Sequence, residues 1–147
     1  MEKDKTQTTT SIPVTTPEGT KWYLNNQLHR EDGPAIECTN GHKVWYRHGQ
    51  RHREDGPAIE WADGSKEWWH NGHLHRVDKP AVERTDGHRT WWHNGQRHRK
   101  DGPAVEWTDG TKFWYHNGKL HRENGPAIEY ANGNKEWWCN GQHIPSP

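Results

Sequence analysis

The chain has 147 residues, room for one ordinary domain, and its 20 basic and 20 acidic residues leave no formal net charge. That balance argues against the basic footprint of a general nucleic-acid binder and against acidic mimicry of DNA. Only 27% of the residues are apolar, yet eleven tryptophans and four tyrosines stand where aliphatic residues usually would. Each buried aromatic removes roughly 150–250 Å² from water, so the composition reads as a thin, aromatic-stapled fold.

In chain order, residues 1–17 are charged, threonine-rich and without an apolar run, and they read as a disordered tail with no secretory leader. Nothing later approaches the ~18 apolar residues of a membrane span. Residues 18–147 read as one repeat domain. Glycines at 41, 64, 87, 110 and 133 recur every 23 residues, and one unit runs from Gly64 to Asp86. The first unit is a residue short between Gly19 and Trp22, and the last stops within Gly141–Pro147. Each unit predicts two strands. The first, as in Lys66 to His70, ends at Asn71-Gly72, where both residues tolerate positive φ. A wide loop of the form x-x-His-Arg-x-Asp-Gly follows. The second strand, as in Pro57 to Trp61, ends at Asp63-Gly64. Glycine, proline or an Asx residue interrupts every stretch too often for helix. The fold class is therefore all-β, a single-layer antiparallel meander or solenoid of about five and a half 23-residue repeats. Pro13, Pro17, Pro145 and Pro147 are expected to discourage pairing at its edges.

Strand alternation assigns the faces. The first aromatic of each unit is always tryptophan: Trp22, Trp45, Trp68, Trp91, Trp114 and Trp137. A column that accepts only tryptophan is expected to be packing core. The second column mixes Tyr23, Tyr46, Trp69, Trp92, Tyr115 and Trp138, and is expected to be partly exposed on the other face. In the second strand, Ile59 and its equivalents Ile36, Val82, Val105 and Ile128 share one face with position 61, while alanine and glutamate take the other.

The pattern Trp-x-Asn-Gly-x-x-His followed by Asp-Gly-x-Lys, at this period, resembles the MORN repeat. The resemblance covers Gly19 to Gly141 and implies a single-layer β-meander that serves as a scaffold or interaction surface. Here arginine follows the histidine where MORN units carry glycine, and Asp-Gly-Pro-Ala comes next. That variant is similar to proteins of large phages, giant viruses and some bacteria.

One set of chemical groups recurs in every unit: His29-Arg30-Asp32-Glu37, His52-Arg53-Asp55-Glu60 and their equivalents, ending in His121-Arg122-Asn124-Glu129. An active site needs one asymmetric constellation, so a group present in five copies is read as a ladder that ties the wide loop to its neighbour by charge-assisted hydrogen bonds. Equivalent histidines should lie ~9.5 Å apart, two strands on. Zinc needs nitrogens at ~2.1 Å, so only pairs within a unit, such as His70 with His75, could approach one another. Cys38 and Cys139 have no ligand spacing and fit a reducing cytoplasm. No phosphate loop or nucleophile elbow is present. No catalytic, cofactor-binding or metal residue is predicted, and no enzyme.

Specificity should lie where units differ or where aromatics meet arginine. Unit three carries Val77, Lys79 and Arg84 in place of a charged residue, the turn glycine and an aromatic or cysteine, and Arg47 replaces a histidine. With the second aromatic column these make the partner-binding candidates: Tyr46, Arg47, Trp69, Val77, Lys79, Arg84, Trp92, Arg97 and Tyr115. Trp, Tyr and Arg are also the residue types of binding hot spots. The expected function is a non-enzymatic protein that binds a partner protein, in viral form an inhibitor of a host defence protein in the host cytoplasm. The alternative is sequestration of a nucleotide or oligonucleotide by stacked rings and Arg or His. A homodimer through exposed edges is a further partner reading, and zero net charge counts against a membrane.

Overall fold

The computed structural model describes residues 9–147. Over them the chain is all-β, with 22 strands and only antiparallel pairs. Fourteen strands form one long meander sheet that does not close into a barrel, and the other eight form four two-stranded sheets beside it. Among the described residues no helix is long and apolar enough to cross a membrane.

The unit from Gly64 shows the path. Lys66–Glu67 lies in the main sheet. Trp68 then leaves the ladder, donating its backbone N–H to the Ala81 carbonyl at 2.8 Å. Trp69–His70 turns at Asn71-Gly72 and returns as His73–Leu74, with Trp69 opposite Leu74. The first predicted strand is thus broken at its tryptophan, and the front of the predicted wide loop is a return strand. The turn explains why. Asn71 and Gly72 have φ of +47° and +78°, the signature of a two-residue hairpin turn, which lays the next residues directly beside the preceding ones.

The Asp-Gly turns differ. Trp61 donates to the Ser65 carbonyl and Gly64 to the Trp61 carbonyl, both at 2.9 Å, with Gly64 at φ +91°. This is a three-residue loop closed by a left-handed glycine. At the start of the repeats only Pro17 and Glu18 separate β1 (Ile12–Thr16) from β2 (Gly19–Leu24). The first unit is one residue short because its loop is one residue shorter, so Gly19 stands where His42 does.

The reading of residues 1–17 as a disordered tail therefore needs correction over Ile12–Thr16. Val14 pairs with Lys21 as Ile36 pairs with Val44, which makes this segment the second strand of a preceding half-unit. Its alternating β-branched residues favour that state, and Pro13 is tolerated because β1 is an edge strand. Residues 1–8, also part of the predicted tail, lie outside the described residues.

One face of the main sheet buries Val44, Ile59, Val82, Val105 and Ile128, together with Glu67 and Thr90. On the other face, Ala35, Ala58, Ala81, Ala104 and Ala127 have no exposed surface. Here the first tryptophan column does not form an apolar core of its own. Trp91 is 8% exposed, but its equivalents are half-buried. The guanidinium carbons of Arg30, Arg53, Arg76, Arg99 and Arg122 sit 3.6–4.0 Å over Trp22, Trp45, Trp68, Trp91 and Trp114. Arginine roofs the indoles where a second layer would otherwise be needed, by cation–π attraction and by its apolar stem.

Candidate binding surface

Each roofing arginine is held by its own unit. Arg53 donates from Nη1 to the Pro57 carbonyl at 3.2 Å and to Glu60 Oε1 at 3.0 Å, and from Nε to Asp55 at 3.0 Å. The glutamate and proline bonds recur in all five units. The Arg-Glu pair clamps the wide loop to the following strand of its own unit rather than to a neighbour, and among the described residues the aspartate joins it only at Arg30 and Arg53. Unit three departs for a steric reason. A Cβ at Gly56 would lie 2.9 Å from the Arg53 guanidinium carbon. Lys79 carries such a Cβ, Asp78 swings to φ +58°, and Val77 at the tip is 65% exposed.

Histidines join successive units. The Nδ1 atoms of His29, His52, His75, His98 and His121 accept the turn N–H of His48, Asn71, Asn94, Asn117 and Asn140 at 3.0–3.1 Å. Equivalent histidines do not meet, but the second histidine of the next unit fills the gap between them. His52 lies 4.5 Å from His70, which is closer than the 6.1 Å from His70 to His75 within one unit. The row continues through His93, His98, His116 and His121. Among the described residues no three His, Cys, Asp or Glu side chains converge on a metal position, and Cys38 and Cys139 are both free.

Burial, and then the facing imidazoles, hold His75 and His98 below the ordinary histidine value. The same causes lower His29, although Glu31 opposes them. The unfolded chain therefore takes up protons first. These groups stabilise the fold fully above the ordinary imidazole value of ~6.5, and that stability is lost as pH falls from there through the lowered native values. Thermal midpoints are expected to fall between pH 7 and pH 5. In the variant His75→Asn/His98→Asn, each Oδ1 keeps an acceptor for the turn N–H without titrating, so the slope should flatten. An unchanged slope would remove the histidines from the account.

The partner-binding candidates fall into three places. Tyr46, Trp69, Trp92 and Tyr115 line one half-buried row together with Arg97, which lies 5.2 Å from the Trp92 ring and 5.4 Å from Tyr115. Arg51 sits 4.8 Å over Trp69 in the same way. Arg84 is at the far end of the same face. It is already engaged, donating at 2.9 Å to buried Glu67, which also accepts from the Trp61 and Trp69 indoles. Arg47 points elsewhere, 3.6 Å from Glu54. Val77 and Lys79 are at a wide-loop tip. Clefts of about 700 and 660 Å³ open between successive wide loops. The first sets Arg30, Arg47 and Arg53 against Glu31, Asp32, Glu54 and Asp55, so its charges largely cancel.

Sequence reasoning passed over Trp61 and Trp107. They are 39% and 50% exposed, on the same face and beyond the end of the second strand. Each is backed by a histidine ring, His42 at 4.5 Å and His88 at 4.2 Å. This position holds cysteine, tryptophan, arginine or tyrosine according to the unit, and comparing alternate units sets these two apart. Comparison with protein-family models and with curated proteins finds no match to this chain.

Proposed function

We propose that the chain is a non-catalytic binding protein that takes a partner protein on the face bearing Trp61, Arg84, Arg97 and Trp107. The observation that carries this reading is the pair of exposed tryptophans, Trp61 and Trp107, set on a sheet face with arginine between them. Large exposed aromatics beside arginine are the usual anchors of protein interfaces. The likeness of the repeat to MORN units adds the expectation of a scaffold or interaction surface, and in a viral setting that of an inhibitor of a host defence protein. A second reading, sequestration of a nucleotide or oligonucleotide, draws on Arg97 between Trp92 and Tyr115, a geometry in which a base could replace a ring.

The test is gentle purification of tagged chain from its native cells, followed by native mass spectrometry. A stoichiometric protein that is lost from Trp61→Ala/Trp107→Ala, with the β-sheet circular dichroism intact, is the expected result. A bound mass of a few hundred daltons and no protein would overturn it in favour of the second reading.

A further inference from the structure

At three positions of the repeat, alternate units match one another where adjacent ones do not. His42 and His88, Arg51 and Arg97, and Trp61 and Trp107 are each separated by 46 residues. In the intervening units the same three positions hold Ser65 and Thr111, Leu74 and Leu120, and Arg84 and Tyr130. The structure follows the alternation. Histidine backs Trp61 and Trp107, whereas Ser65 and Thr111 accept the backbone N–H of Thr85 and Ala131. Arg51 and Arg97 lie over the second aromatic row.

A second regularity is independent of the first. Five buried side-chain polar atoms among the described residues have no hydrogen-bond partner, and four of them are His42 Nδ1, His88 Nδ1, Arg51 Nε and Arg97 Nε. Buried polar groups are normally satisfied, so the same omission at the same two positions of both copies marks side chains with hydrogen-bonding capacity to spare.

We infer that this face carries two equivalent docking stations, one built on His42, Arg51 and Trp61 and the other on His88, Arg97 and Trp107, and that one extended acidic peptide segment of the partner engages both at once. This rests on the protein-binding reading above. The stations are four strands apart, about 19 Å at ~4.8 Å per strand. Two globular domains do not fit side by side at that spacing, since a 100-residue domain has a radius of gyration of ~13 Å. An extended chain covers the distance in about six residues. Charge selects the acidic peptide. Glu67 is already shared by Arg84, Trp61 and Trp69, and Glu136 accepts from Tyr130 and Trp138. Among the described residues neither Arg51 nor Arg97 has a carboxylate within ion-pair distance. A guanidinium stacked on a ring pairs well with a carboxylate, and the exposed tryptophan farther along the same face takes an apolar side chain.

The test measures fluorescence anisotropy of synthetic peptides on the 147-residue chain. One peptide carries two Glu-Phe pairs six residues apart, one carries them three apart, and one carries a single pair. The six-residue spacing is expected to bind about 100-fold tighter than the single pair, from effective concentration alone. Arg51→Leu and Arg97→Leu use the residue that Leu28, Leu74 and Leu120 place at the same position, so the fold accommodates them. Each alone should reduce affinity to the single-pair level, by equal amounts. Equal binding of all three peptides, unequal effects of the two variants, or tighter binding of a single-stranded oligonucleotide would overturn the proposal. If Arg51→Leu/Arg97→Leu still retains the stoichiometric native partner, the two stations fail while the protein-binding reading stands. If no protein partner is found at all, the reading beneath them fails.

Discussion

Replacing Trp91 by alanine is expected to lower the unfolding free energy by about 3–5 kcal/mol, the range for a large aromatic removed from a packed site. Trp91 is the most buried of its column. It is the floor on which Arg99 stacks at 3.9 Å, and the same arginine holds Pro103 and Glu106. Truncation therefore loosens three things together: the indole's own burial, the guanidinium above it, and the wide loop the guanidinium fastens. It also uncovers Ala104, which now has no exposed surface. Trp137→Ala is the control, because that indole is half-buried and Pro145 stands where the other units have the roofing arginine. About 1–2 kcal/mol is expected there, from partial area burial. Urea denaturation of the two variants decides the matter, and equal losses would mean that the arginine roof contributes nothing.

The second large effect runs against a common rule of stabilisation. Arg84→Trp restores the residue type of Trp61 and Trp107, and a repeat-consensus change usually helps. Here it is expected to destabilise by about 2–3 kcal/mol. Glu67 is 7% exposed, and Arg84 at 2.9 Å is its cationic partner. Removing that partner leaves a buried carboxylate held only by two indole N–H groups. The cost stays below the roughly 3–5 kcal/mol of a fully buried pair because Arg84 is itself about a third exposed. Adding Glu67→Thr, the residue found at the equivalent Thr90, should recover most of the loss. A double-mutant cycle measures the coupling. Additive effects, or a stabilising Arg84→Trp, would refute the pairing.

That pair also shows what single-sequence reading misses. Arg84 breaks the repeat, and within its own unit the change is matched by Glu67. A compensated departure and a functional one look alike until the faces are known. The repeat and the all-β class were legible, because a 23-residue period with Asn-Gly and Asp-Gly punctuation leaves few backbones to choose from. The break at Trp68 was not, since an unbroken Lys-x-Trp-Trp-x run carries no signal that its tryptophan N–H will bond across to Ala81. The strand at Ile12–Thr16 was hidden by composition. Threonine and two prolines resemble a tail, and only the alignment of Val14 with Ile36 through a shorter loop reveals a strand. On the candidate surface, Arg97 lies beside Trp92 and Tyr115, whereas Arg47, grouped with it in the sequence, turns to Glu54. Trp61 and Trp107 were lost because a period of 23 was assumed where their pattern has a period of 46.

The hydrogen bonds that cross from one unit's turn to the next have an evolutionary consequence. Asn71 and Gly72 present backbone N–H groups to His52 Nδ1 and the Arg51 carbonyl, and Arg53 donates its own to the Trp69 carbonyl. At this turn the neighbour is recognised by its main chain. Copy number can then change by whole modules without refitting either neighbour. Gain of one module preserves every joint but sets the alternating arginines and tryptophans out of phase beyond the insertion. Gain of two preserves the phase as well, so a lineage that lengthens this ribbon while keeping its surface should grow by duplications of 46 residues.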